Sequence, residues 1–312
     1  MINRELIRLK TVQIVYAYYL NEGKSIDTTE KELFHSLAQA YSLYMQLLSL
    51  LLSLDSIARR VIESQVARAV RLCEPTPPAV KLMKNRFIAQ LRDNEQLEKW
   101  RSHQHFSWLE EEEDFLRRLF SNISTRDFFL DYTASPESSY EEDRELWRKI
   151  YRNVLCENEE LDEILEGANL YWNDDKFIVD TFVLKTIRRF DEQKGKEQEL
   201  LPDFSNDEDK EFASQILRNA LTNQEFYRGL ISEQTKNWEL DRIARMDLYI
   251  IQVALAEILS FPGIPVSVSI NEYVEIAKDY STPRSGSYVN GMLDSLCRRL
   301  VKEGLLVKDM DN

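Results

Sequence analysis

Ser269–Leu296 reads SINEYVEIAKDYSTPRSGSYVNGMLDSL, and the reading of its second half decides the fold. Asn290-Gly291 is a dipeptide that usually marks a tight hairpin turn. Apolar residues at helical spacing nevertheless continue past it: Val289, Met292, Leu293, Leu296 and Leu300. Ser281-Thr282-Pro283 ends the preceding helical region and Ser285–Ser287 starts the next, so Asn290-Gly291 falls in the first turns of a final helix reaching about Glu303. Glycine inside a helix costs about 1 kcal/mol relative to alanine. The expected compensation is that Gly291 lets a neighbouring helix approach closely while Asn290 ties the two backbones by side-chain hydrogen bonds.

Helical spacing also dominates outward from this stretch. Upstream, Val266, Ile270, Val274 and Ala277 recur at steps of three to four, with Pro265 at a first-turn position where its missing N–H costs nothing. Leu240–Leu259 and Asn206–Glu233 each read as one helix. At the other end, Ile2, Leu6, Leu9, Tyr16 and Leu20 share one face of a helix over residues 3–20, with Arg4, Arg8 and Thr11 opposite. Asp27-Thr28-Thr29-Glu30 offers capping oxygens for a second helix that persists to about Leu72. Glu74-Pro75-Thr76-Pro77-Pro78 and Ser135-Pro136 are breakers. Residues 79–132 predict two or three helices, 139–156 and 159–194 further ones, and the polar run 191–199 a linker.

Composition agrees with an all-α chain: 312 residues hold only 8 Gly and 8 Pro, the residues that hairpins and barrels consume. The net charge of −14 argues against a general nucleic-acid binder. The charge is uneven, however. Residues 137–176 carry 13 acidic and 5 basic side chains, or −8, whereas residues 1–20 carry Arg4, Arg8 and Lys10 against Glu5, or +2. Three widely spaced cysteines, Cys73, Cys156 and Cys297, form no disulfide framework or zinc motif and suit a reducing compartment. The longest apolar run, Leu43–Leu54, is interrupted by Gln46, Ser49 and Ser53 and reads as a buried helix, not a membrane span. Charged residues interrupt any signal-peptide core at the N-terminus. The expectation is a cytoplasmic protein with no membrane partner.

Chemistry-bearing motifs are scarce. His103 and His105 are two apart, on different faces of an expected helix, which is poor metal geometry. No glycine-rich phosphate loop or nucleophile elbow occurs. No cofactor, metal or catalytic residue is expected. Arg4 and Arg8 lie one helical turn apart and can reach adjacent phosphates.

The stretches NRELIRLKTVQIVYAYY, IARMDLYIIQVALAEIL, PVSVSINEYVEIAKDYS and SYVNGMLDSL together resemble the NusB family of transcription antitermination proteins. That family combines a basic first helix with motifs of the type VP-x-x-V-x-INEAVELAK and FVNGVLD, matched over Pro265–Lys278 and Tyr288–Asp294. The resemblance covers residues 1–25 and roughly 205–303. It implies a NusB-like domain of two three-helix sub-bundles, formed by 1–25 together with 205–312, and a helical insertion over 26–204. It further implies binding to boxA-type RNA, a heterodimer with the small-subunit ribosomal protein NusE, a place in the RNA polymerase antitermination complex, and no catalysis. Carried over by position, RNA contacts fall on Arg4, Arg8, Lys10, Gln13, Lys278, Arg284 and Tyr288. Partner contacts fall on Tyr16, Asp241 and Asp247. The chain departs from the family pattern in its thinner arginine motif, in Ser287 at a usually basic position, and in Gln252 where the family has arginine. These departures motivate a second reading, a protein-interaction scaffold that has lost most RNA affinity. An enzyme related to ribosomal RNA methyltransferases would need a cofactor motif that this sequence lacks.

Overall fold

The computed structural model describes residues 1–21, 24–104, 106–172, 174–204, 206–235 and 243–307. The protein is all-α; among the described residues the only β-type pairing is an isolated bridge between Ile2 and Phe204. The chain forms two compact units, one of residues 2–38 with the described residues from 203 onward, the other of Met1 with residues 39–202.

The first unit begins with α1 (Arg4–Leu20), where the Asn3 side chain accepts the Leu6 N–H at 3.0 Å. Helix α2 (Ile26–Leu72) starts beyond it. Ser25, not the Asp27–Glu30 run, caps α2, its Oγ accepting the Thr28 N–H at 3.1 Å. Asp27 and Glu30 instead accept from Arg218, at 2.7 and 3.0 Å. The later helices are α11 (Asp207–Thr222), α12 (Gln224–Gln234), α13 (Arg245–Ser260), α14 (Val266–Tyr280) and α15 (Ser285–Lys302). The single helix expected over 206–233 is divided at Asn223, whose φ and ψ of −100° and 22° leave the helical basin. Helix α13 is the centre of the unit: α1 and α11 pack on it, as do α14 and α15. Its run Tyr249–Ile258 is buried throughout, so its apolar residues fill the whole circumference of the helix.

The second unit holds the rest of α2, a 3-10 turn at Pro78–Lys84, α3 (Arg86–Arg92), α4 (Glu95–Arg101), α5 (Trp108–Glu111), α6 (Glu113–Ile123), α7 (Asp127–Ala134), α8 (Tyr140–Ile150), α9 (Glu159–Ala168) and α10 (Lys176–Arg189). Residues 79–132 thus hold more and shorter helices than expected. Helix α8 runs on into a π-helical turn, Tyr151–Leu155. Indole N–H groups anchor peripheral segments to α2: Trp108 donates to the Gln46 carbonyl at 3.2 Å and Trp172 to that of Gln39 at 2.9 Å. The polar run 191–199 is not a free linker. Gln90 donates to the carbonyls of Asp191 and Gly195, both at 2.9 Å, and Asn94 to that of Gln198 at 2.7 Å. Buried amides, invisible in the composition of the run itself, hold it down.

For α2 the reading of Leu43–Leu54 as a buried helix holds, every residue of that run being buried, whereas the expectation that no stretch is long and apolar enough to span a membrane does not. By length and composition α2 is apolar enough to cross a membrane, but 78% of that apolar window is buried inside the protein, the setting of a core helix.

Asn290-Gly291 lies inside α15, as the spacing predicts. Gly291, however, faces open space, with nothing within 4 Å of where its Cβ would stand, and Asn290 is exposed. The close approach occurs at Gly286, where an added Cβ would stand 2.7 Å from Lys278 Cγ. The expected packing role of Gly291 is therefore wrong, because residue 291 falls on the solvent side of the helix.

Candidate functional site

The basic residues of α1 have different environments. Arg4 is partly exposed, with 42% of its side chain accessible; its Nε lies 3.3 Å from Asp209 Oδ1 and its guanidinium 5.1 Å from the centre of the Phe212 ring. Arg8 is buried. Its Nε and Nη2 donate to the two carboxylate oxygens of Glu257 at 2.8 and 2.9 Å, and Nη1 donates to Glu272 at 3.0 Å. Burial opposes the charge on Arg8, but the bond to Glu257 and its negative field outweigh that and raise the pKa. Glu257 is itself fully buried and also accepts from Ser269 at 2.7 Å and Tyr273 at 2.9 Å. Burial, with Glu257 adding, pushes the Tyr273 phenol well up, so it remains a neutral donor. Glu257 thereby receives four hydrogen bonds, the arrangement a buried carboxylate requires. Lys10 is also buried, and Gln13 half-buried.

A second group gathers at the corner between α14 and α15. Lys278 is exposed and pairs with Glu275 at 2.6 Å. Arg284 is exposed at the start of α15, and its carbonyl accepts the Tyr288 N–H at 3.1 Å. Tyr288 is 36% exposed; burial, then the nearby Asp247 charge, raises its pKa and keeps it a neutral phenol. Ser287 lies beside it, also exposed. Asp247, in the first turn of α13, is 4% exposed and accepts from Ser281 at 2.6 Å and Ser285 at 2.8 Å. Its carboxylate fastens the turn that presents Arg284 and Tyr288 and does not face outward. Asp241 lies outside the described residues.

Tyr16 is half-buried, its ring edge-on to Tyr249 with centroids 5.7 Å apart. Tyr19 stacks on Tyr249 at 4.8 Å and carries the Arg228 guanidinium 4.4 Å over its ring. Gln252 is wholly buried, donating to Tyr19 Oη at 2.9 Å and to the Ala220 carbonyl at 2.8 Å. The position at which the chain departs from the family's arginine is therefore a core position here.

The structure places Arg284 and Tyr288 one turn apart at the start of α15, sets Lys278 against Gly286 of the same helix, and joins Arg8 to α14 through Glu272. Sequence reasoning missed Glu257, Ser269 and Tyr273. Their signal was present: a lone carboxylate inside the apolar run Ile250–Ile258, and a Ser and Tyr four apart on the next helix. Among the described residues no cluster of three or more His, Cys, Asp or Glu could hold a metal ion; His105 lies outside them.

A family model described as "NusB family" matches residues 178–298. "Transcription antitermination protein NusB" of Salinibacter ruber is 36% identical over 132 residues, 40% of this chain and 82% of the relative. The protein of the same name from Syntrophotalea carbinolica is 47% identical over 89 residues, 28% of this chain and 57% of the relative. That of Acetivibrio thermocellus is 34% identical over 120 residues, covering 37% and 83%. No solved structure matches the chain.

Proposed function

The chain belongs to the NusB family, and on that premise we propose that it is a non-catalytic RNA-binding antitermination factor. It acts on boxA-type elements of nascent ribosomal RNA, as a heterodimer with the small-subunit ribosomal protein NusE, within the RNA polymerase antitermination complex. The family core is assigned to residues 1–25 with 205–312, and residues 26–204 to an insertion. The observation that carries the reading is the start of α15, where the exposed Arg284 lies one turn from the neutral, part-exposed ring of Tyr288, with the exposed Lys278 of α14 packed against Gly286 of the same helix. Two cations can neutralise phosphates while an aromatic face stacks on an unpaired base, the usual means of reading single-stranded RNA. Arg4 adds a third, partly exposed cation, held by Asp209. Arg8, sealed by Glu257 and Glu272, supports α1 from within. Tyr16 serves the protein partner, and Asp247 serves it through the turn it fastens.

Titration of labelled boxA-type RNA, with and without NusE, tests the reading. Arg284→Ala should flatten the dependence of log K on log salt by about 0.7 per lost phosphate contact. Tyr288→Ala should weaken binding with the slope unchanged. Identical isotherms for both variants and wild type would sink the assignment. The burial of Arg8 and Lys10 favours the second reading, a scaffold with little RNA affinity. That reading takes over if NusE binds while boxA RNA does not.

A further inference from the structure

The last turns of α2 leave an arginine-rich face in solvent that the antitermination core does not use. Between Arg59 and Cys73 the chain carries four arginines against the single acid Glu63, a local +3 in a protein of net charge −14. Arg59 is committed, donating to Asp55 at 2.7 Å and to the Met83 carbonyl at 3.1 Å. The other three are not. At 100° per residue, Arg60, Ser64, Arg68 and Arg71 fall within about 80° of arc, roughly opposite the buried Ile62 and Ala69. Arg60 is 54% exposed and reaches Glu113 only at 3.8 Å. Arg68 and Arg71 are exposed, and among the described residues neither forms an ion pair; Arg71 donates to its own helix, at the Ala67 carbonyl, at 3.3 Å. From Arg60 to Arg71 the stripe is about 16 Å long.

We propose that this stripe is a second phosphate-binding surface, a track for the backbone of single-stranded RNA outside the family core. Charge complementarity selects the occupant. Three like charges in a row, only Arg60 of them ion-paired and that loosely, in a chain with 54 acidic residues, suit a polymer whose own charges are in a row. All three are arginine, whose planar fork pairs with phosphate oxygens two at a time. Ser64 and Ala67 lie between them and keep the face low, so a sugar-phosphate backbone can lie along it. Val70, 72% exposed, and Leu72, 53% exposed, flank the stripe with apolar surface for ribose and base. The inference goes beyond the boxA reading and stands independently of it.

The test uses the full chain and a 20-nucleotide oligouridylate, which carries phosphates without a boxA sequence. Arg60, Arg68 and Arg71 are replaced together by Gln, with circular dichroism confirming an unchanged melting curve. The expected result is a salt slope shallower by about 2, three contacts at 0.7 each, with the boxA preference over oligouridylate retained. The exposed Cys73, two residues beyond Arg71, takes a thiol-reactive fluorophore whose emission should change on RNA addition in wild type and not in the triple variant. Arg284→Ala/Tyr288→Ala should do the reverse, abolishing boxA preference and leaving the Cys73 signal intact. The two sites can therefore fail separately. An unchanged oligouridylate slope in the triple variant overturns the proposal. So does displacement of the RNA from the Cys73-labelled chain by polyglutamate at equal charge, which would assign the stripe to an acidic protein segment.

Discussion

Gly286 and Gly291 stand five residues apart on α15 and have opposite environments. Gly286 is buried against the Lys278 side chain, whereas Gly291 has open space around it and no positive φ. Gly291→Ala should therefore stabilise the protein by about 0.5–1 kcal/mol, by helix propensity and a less flexible unfolded chain. Gly286→Ala should destabilise it, and the loss should shrink in Gly286→Ala/Lys278→Ala, where the opposing Cγ is gone. Urea denaturation of the four proteins reads both; a stabilising Gly286→Ala would contradict the contact. The distinction was legible in the sequence. Taking Val289 as the zero of angle, Leu293, Leu296 and Leu300 fall within about 40° of it and Gly286 within about 60°, while Gly291 falls near 200°. The familiar look of Asn-Gly drew attention to the wrong glycine. What the spacing cannot supply is the neighbour: nothing in α15 names Lys278 as the side chain beneath it.

At the scale of elements, the first turn of α2 is fastened to α11 through Arg218, which serves Glu30 and Asp27. The Arg218 hydrogen bond, opposed by partial burial and helped by Ser214, holds the Glu30 carboxyl below its ordinary value of 4.5. A carboxylate with a lowered folded pKa adds stability that is present above its unfolded pKa and lost as pH falls through the folded one. Glu30→Gln should thus be less stable than wild type at neutral pH, and the gap should close on acidification below about pH 4.5. Denaturant midpoints measured from neutral pH to about pH 3 check this; a gap independent of pH would dissociate Glu30 from the tie. The elements themselves were largely legible. α1, α2, α14 and α15 follow from apolar periodicity and from breakers such as Pro75, Pro77 and Pro78. The shorter helices between residues 78 and 134 were not, because their ends are set by side chains such as Asn85 and Asn94 capping the next turn, and Asn is common in any loop. The run 191–199 misled for the same reason: its polarity is its own, but its partners Gln90 and Asn94 lie about a hundred residues earlier.

Across the whole molecule, Arg8 and Glu257 are 249 positions apart and share one buried ion pair. Arg8→Met would leave Glu257 charged without its partner, and removing one member of a buried pair costs about 3–5 kcal/mol. Equilibrium unfolding measures it; a loss below about 1 kcal/mol would mean that Ser269 and Tyr273 suffice. Family membership and the all-α class were legible in the motifs, whereas the use of the arginines was not. Arg4 and Arg8 look equivalent on a helical wheel, and only the arrival of α13 and α14 makes one a surface charge and the other a core charge. The long separation also has a consequence in time. At about 5–20 residues per second, Glu257 leaves the ribosome roughly 12–50 s after Arg8. Until α11 and then α13 emerge, α1 lacks the helices that will cover it, and its Ile7, Leu9, Val12 and Val15 are open to other chains. Arg8 and Lys10, buried in the finished protein, are during that interval the charges that keep the young helix in water.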